Sequence, residues 1–95
     1  MNISLSPEAQ QHLSSDLGSR VLRIAFTTGC GGSGYRLSYE PSPIEGDTVL
    51  AIDGTRVALD DMAATRLDGA VIEYDPDEDG YLLEHPDAVN VAWCG

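Results

Sequence analysis

The sequence predicts a mainly β fold, a β-rich sandwich with two short helices. Three observations lead there. Segments with a two-residue apolar period recur along the 95-residue chain, separated by turn residues. Asp53-Gly54 stands between Thr48-Val49-Leu50-Ala51-Ile52 and Thr55-Arg56-Val57-Ala58-Leu59, the strongest short-range signal for a hairpin. Helical signals are confined to two short stretches, 7–17 and 62–67.

Taken in order, Asn2 to Leu5 alternates polar and apolar residues. Ser6-Pro7-Glu8 then starts a helix: a hydroxyl cap, a proline at the first helical position and an acid in the first turn. Ala9, Leu13 and Leu17 form its narrow apolar stripe, and Gly18 ends it. His12 falls beside that stripe among glutamines and serines, so it is expected to be exposed and not to bind metal.

Val21 to Thr27 carries Leu22, Ile24 and Phe26 on one strand face, and after a glycine-rich loop Tyr35, Leu37 and Tyr39 do the same. Pro41-Ser42-Pro43 ends that strand in a polar loop reaching Asp47. The Asp53-Gly54 hairpin follows, and Asp60 or Asp61 caps a helical turn through Leu67, closed by Asp68-Gly69. Ala70 to Asp75 and Tyr81 to His85 read as a second hairpin, and Val89, Val91 and Trp93 as a last extended segment leading to Cys94.

Ninety-five residues predict one domain, 1–95, with a single modest core. No apolar run approaches the roughly 18 residues of a membrane span, and no secretory leader is visible, so a cytoplasmic location is expected. Sixteen acidic residues against five arginines and no lysine give a formal charge of −11, which opposes binding to nucleic acid and to anionic membranes.

Two glycine- or acid-rich stretches imitate known motifs. Gly29-Cys30-Gly31-Gly32-Ser33-Gly34 matches GxGxxG, but Tyr35 to Glu40 continues with strand periodicity where a dinucleotide site needs a helix. Asp75-Pro76-Asp77-Glu78-Asp79-Gly80 matches the start of a calcium loop, yet Pro86 stands where its bidentate glutamate belongs. A polar hairpin turn is the expected reading.

The chemistry rests on Cys30 and Cys94. Both lie beside glycines, Cys30 in the loop Thr27 to Tyr35 and Cys94 in the tail, where a packing cysteine is not expected. Glycines leave a sulfur open, and their N–H groups favour the thiolate. With no export signal, two such thiols point to ligand or redox chemistry rather than a disulfide framework. His85, ending a strand before Pro86, is expected to be structural.

The chain resembles the HesB/IscA family, the A-type iron–sulfur cluster carriers. The resemblance rests on Gly29-Cys30, Gly32, Tyr35 and Leu37, on Leu67-Asp68-Gly69 leading into Val71-Ile72-Glu73-Tyr74, and on Gly80-Tyr81-Leu82-Leu83, His85-Pro86-Asp87 and Cys94-Gly95. It implies a sandwich of mixed sheets, a homo-oligomer, and iron or a two-iron two-sulfur cluster bound by the loop and tail cysteines for delivery to apoproteins. Two family features are replaced: Ala92 stands at the middle cysteine and Trp93 at the glycine before the last one.

Three functions follow. The first is a non-enzymatic iron–sulfur carrier working with assembly proteins and recipient apoproteins, with Cys30 and Cys94 as ligands. The second is a degenerate member that binds partners without a cluster. The third, a thiol redox protein, lacks a Cys-X-X-Cys pair.

Overall fold

Parallel pairing between strands far apart in sequence organises the two layers of the molecule. The computed structural model describes residues 2–29, 32–52, 54–77, 80–86 and 91–94, with backbone alone at 28–29, 32–33 and 91–94. The elements are β1 (Ile3–Leu5), α1 (Pro7–Asp16), β2 (Val21–Gly29), β3 (Gly32–Glu40), β4 (Thr48–Ile52), β5 (Thr55–Leu59), α2 (Asp61–Arg66), β6 (Ala70–Asp75), β7 (Gly80–Glu84) and β8 (Val91–Cys94). One sheet has the order β1-β6-β7 and the other β4-β5-β2-β3-β8. The pairs β1/β6, β2/β5 and β3/β8 are parallel and the others antiparallel, so both sheets are mixed.

Local chemistry sets the element ends. Ser6 Oγ accepts a hydrogen bond from the Ala9 N–H at 3.2 Å, Pro7 opens α1, and Gly18 at φ +62° leads the chain away from it. Asp60 caps α2 by accepting from Ala63 N–H at 2.8 Å. In the β6/β7 connection the Asp77 N–H donates to Asp75 Oδ1 at 3.0 Å, the local bond of a polar turn.

Between the sheets lies one core. Leu22 and Ile24 of β2, Tyr35 and Leu37 of β3, and Val57 and Leu59 of β5 pack with Ile72, Tyr81 and Leu83 of the other sheet. Ala9, Leu13 and Leu17 from the first helical region and Ala63 and Leu67 from the second belong to the same buried cluster. The four-residue stripe on α1 therefore does what its spacing implies.

Two expectations are corrected. The strands flanking Cys30 do not stop at Thr27 and Tyr35; β2 and β3 run on through glycine to Gly29 and Gly32, because pairing with each other compensates for glycine's weak strand preference. His12 is half-buried, its ring stacked on Tyr74 with centroids 3.7 Å apart and planes 10° apart. A flat imidazole covers an aromatic face better than water does, which a helix-only view of position 12 misses.

Candidate functional site

The longest pairing among the described residues is β2 with β3, from Val21↔Glu40 to Gly29↔Gly32. Cys30 and Gly31 join its two last partners and lie outside the described residues. Below that end the hairpin is well braced. The Phe26 and Tyr35 rings meet edge-on at 5.4 Å, the Arg66 guanidinium sits 5.1 Å over Phe26, and the Phe26 N–H donates to Asp60 Oδ2 at 2.9 Å. One aspartate thus caps α2 with one oxygen and ties β2 with the other.

Cys94 is the last residue of β8, in register with Ser38 of β3, while Ala92 is in register with Arg36. Ser38 is six residues beyond Gly32 along β3, about 20 Å at the ~3.3 Å rise of a strand. The structure therefore does not bring the tail cysteine to the Gly29↔Gly32 end of the hairpin while β8 is paired.

Beside β8, the sheet face turned away from the core forms a shallow concavity of about 330 Å³, lined by Arg23, Ala25, Thr27, Arg36, Ser38, Glu40 and Ile44. Its charges are tied down. Arg23 donates from Nε and Nη2 to the two carboxylate oxygens of Asp47 at 2.8 and 3.0 Å. That fork holds the Asp47 carboxyl below its ordinary value, and the Arg23 guanidinium above its own. Ser38 Oγ donates to Glu40 at 2.9 Å. Sequence reasoning missed the Arg23/Asp47 pair, whose members are 24 positions apart with no local signal.

His85 Nε2 lies 2.8 Å from the Asp68 carbonyl, a structural tie as its position before proline implies. The segment after the glycines continues as strand β3, not as the helix of a dinucleotide site. Among the described residues no group of three or more His, Cys, Asp or Glu side chains is gathered as a metal set, and no helix is long and apolar enough to cross a membrane.

Comparison with known proteins agrees with this architecture. A family model described as iron–sulphur cluster biosynthesis matches residues 1–91. The chain belongs to that family. The iron–sulfur cluster insertion protein ErpA of Hydrogenovibrio crunogenus is 36% identical over 77 residues, covering 78% of this chain and 68% of ErpA. The iron-binding protein IscA of Pectobacterium carotovorum is 30% identical across 100% of this chain and 95% of its own. Among solved structures, IscA with the [2Fe-2S] cluster superposes with a TM-score of 0.70 at 26% identity, covering 99% of this chain and 92% of that one. SufA of Escherichia coli shares the fold at a TM-score of 0.71 and 19% identity, over 93% and 89% of the two chains. The family's role is iron–sulfur cluster biogenesis, and the fold expected from the resemblance is the fold observed.

Proposed function

We propose that this chain is a non-catalytic carrier in iron–sulfur cluster assembly, acting in the cytoplasm as a single 1–95 domain within a homo-oligomer. It holds iron or a two-iron two-sulfur cluster through the Cys30 and Cys94 thiolates and passes it to recipient apoproteins. The observation that carries this reading is the likeness, along 99% of the chain, to IscA with its [2Fe-2S] cluster. Soft thiolates suit such a cargo, and N–H groups of the surrounding glycines would stabilise its sulfides.

The β3/β8 register refines the reading. A cluster usually takes four cysteine ligands, and one chain offers two, so two chains are needed. Cys30 follows Gly29 directly, within one Cα step of about 3.8 Å. With β8 seated on β3, Cys94 stays beside Ser38, too far for both thiols of one chain to reach one small cluster. Loading therefore requires β8 to leave β3. β8 is a four-residue strand that pairs with β3 and also lies against β7, and both contacts would have to open. Once free, the ten residues from Glu84 to Cys94 could span up to about 33 Å.

Ala92 at the family's middle cysteine, together with a seated β8, favours as second reading a member that binds partners without cargo. Anaerobic reconstitution with ferrous iron and sulfide, followed by absorbance, iron and sulfide analysis and native mass measurement, separates the two. The carrier reading expects one cluster per two chains. Folded protein that retains neither iron nor sulfide gives the second reading.

A further inference from the structure

The three-stranded sheet buries one face and leaves the other bare. Ile72 of β6 and Tyr81 and Leu83 of β7 are buried in the core, whereas Leu82 between them is 42% exposed. By the period of two, Val71, Glu73, Leu82 and Glu84 share the outer face, with Ser4 of β1 beside Val71. Helix α1 packs from the inner side, since Ala9 and Leu13 join the core and His12 stacks on Tyr74, which has the parity of Ile72. β8 lies against β7, yet Leu82 and Glu84 remain exposed.

The β6/β7 register turns this face into a checkerboard. Val71 pairs with Glu84 and Glu73 with Leu82, so the two apolar side chains lie on one diagonal and the two acids on the other. Diagonal neighbours are about 7–8 Å apart, a gap that long side chains bridge. Glu73 and Glu84 share a hydrogen bond across it, which with partial burial and the charges of Glu84 and Glu8 holds the Glu73 carboxyl above its ordinary value. No cation of the surrounding elements answers these acids, because β1, α1, β6 and β7 contain neither lysine nor arginine.

Two carboxylates that meet beside a leucine and a valine fit a guanidinium on an apolar stem. Arginine offers parallel N–H donors to both carboxylates while its methylenes lie on Leu82, which the point charge of an ammonium does less well. Three strands about 4.8 Å apart make a face about as wide as one ~10 Å helix, the element that ordinarily covers a bare sheet. We propose that the outer face of the three-stranded sheet receives a helix of a partner protein, with an arginine guanidinium held across Glu73 and Glu84 and apolar side chains on Leu82 and Val71. A second copy does not fit: face to face it sets glutamate against glutamate, and its five arginines are engaged within their own chain. Arg20 lies over Tyr39, Arg23 forks Asp47, Arg56 donates to the Ser19 carbonyl, Arg66 lies over Phe26, and Arg36 has a contact of its own. An oligomer formed through other surfaces is compatible with this, and the docking face is independent of whether the chain carries a cluster.

The test uses the full chain without cargo and an alanine-based helical peptide of about 18 residues, with leucine and arginine repeated four positions apart on one face, followed by NMR at pH 7 and low salt. The amide signals of Val71, Glu73, Leu82 and Glu84 should shift, with those of the β2/β3 pairing unmoved. Replacing each arginine by neutral citrulline should weaken binding at least about tenfold, and by lysine about threefold. Glu73→Gln with Glu84→Gln, which relieves a like-charge pair and so spares the fold, should cost about tenfold, and Leu82→Ser about fivefold. Glu45→Gln with Asp61→Asn removes the same charge from exposed positions elsewhere and should change affinity less than about twofold. Equal binding of the citrulline peptide overturns the proposal, as does wild-type affinity in the double glutamine variant. An equal loss in Glu45→Gln with Asp61→Asn also overturns it, because general acidity then explains the binding. Shifts of the same four amides that appear without peptide as the chain is concentrated overturn it too, because the occupant is then a second copy.

Discussion

Tyr39 on β3 and Tyr81 on β7 join the two sheets through a 3.0 Å hydrogen bond between their hydroxyls. Tyr81 is buried, its ring edge-on to Tyr74, which in turn stacks on His12, while the Arg20 guanidinium lies 4.6 Å over Tyr39. This aromatic chain connects α1, the three-stranded sheet and the five-stranded sheet.

Tyr81→Phe should destabilise the protein by about 1 kcal/mol, the cost of losing a part-buried hydrogen bond between the sheets. Burial, and then the bond to Tyr39, push the Tyr81 hydroxyl well above its ordinary 10.0. A raised folded value means that the contribution is complete below about pH 10 and declines as the unfolded chain begins to ionise. Urea unfolding at pH 7 and at pH 11 should therefore show a smaller gap between wild type and Tyr81→Phe at the higher pH. A gap that widens with pH would contradict this account.

Asp60→Ala should be costlier than an ordinary cap deletion. It removes the α2 cap, worth about 0.5–2 kcal/mol, and strands the half-buried Phe26 N–H, worth about 1–3 kcal/mol more. A loss in the range of about 2–4 kcal/mol by chemical denaturation is expected. Under about 1 kcal/mol would mean that water replaces both bonds.

These bonds also mark what the sequence made legible. Ser6-Pro7, Asp53-Gly54 and Asp60 announce their elements because caps and tight turns are decided by a few adjacent residues. The strands β2, β3, β6 and β7 showed through their period of two, and β4 and β5 through the Asp53-Gly54 signal between them. The β3/β8 and β2/β5 parallel pairs had no local signature, since nothing near Ser38 encodes Cys94 as its neighbour. Cys30 and Cys94 stood out through their glycine surroundings, but their separation depends wholly on that register. Gly29 and Gly32 read as loop because glycine has little strand preference of its own, and tertiary pairing overrode it.

The Arg23/Asp47 fork gives a prediction at acid pH. Hydrogen bonding from Arg23 lowers the Asp47 carboxyl below 3.8, so its contribution is present above that value and is lost as pH falls through the folded one. Asp47→Asn should cost about 1 kcal/mol at pH 7 in low salt, a bidentate pair at a partly covered site, and nearly nothing at pH 2. A penalty independent of pH would assign the effect to the Asp47 bond with the Ile44 N–H instead.

On the three-stranded sheet, Glu73 is raised above its ordinary 4.5, first by a hydrogen bond with Glu84 and then by burial and the charges of Glu84 and Glu8. Both lie on strands that contain no arginine, so nothing on β6 or β7 relieves the pair. The shared proton stabilises the fold at acid pH, and that contribution is lost as pH rises through the folded Glu73 value. Glu84→Gln should return Glu73 towards 4.5 in an NMR titration and should raise the melting temperature at pH 7 in low salt. Both effects should shrink in about 1 M salt. A Glu73 titration unmoved by Glu84→Gln would dissolve the pair.

The last prediction concerns the tail. If two chains supply the ligands after β8 leaves β3, then Cys30→Ser and Cys94→Ser should each abolish stable iron and sulfide retention, because no further cysteine is available to substitute. The backbone should report the same event. Tyr35 to Ser38 of β3 face β8 in the unloaded protein, and the main-chain groups they share with it should exchange roughly tenfold faster once cargo is bound. Exchange in the β2/β3 pairing away from that edge should stay as it was. Hydrogen exchange by mass spectrometry on loaded and unloaded protein, at equal chain concentration, measures both regions together. A cluster held by a monomer, wild-type iron content in Cys94→Ser, or undiminished β3/β8 protection in the loaded state would each require ligands other than the pair of Cys30 and Cys94.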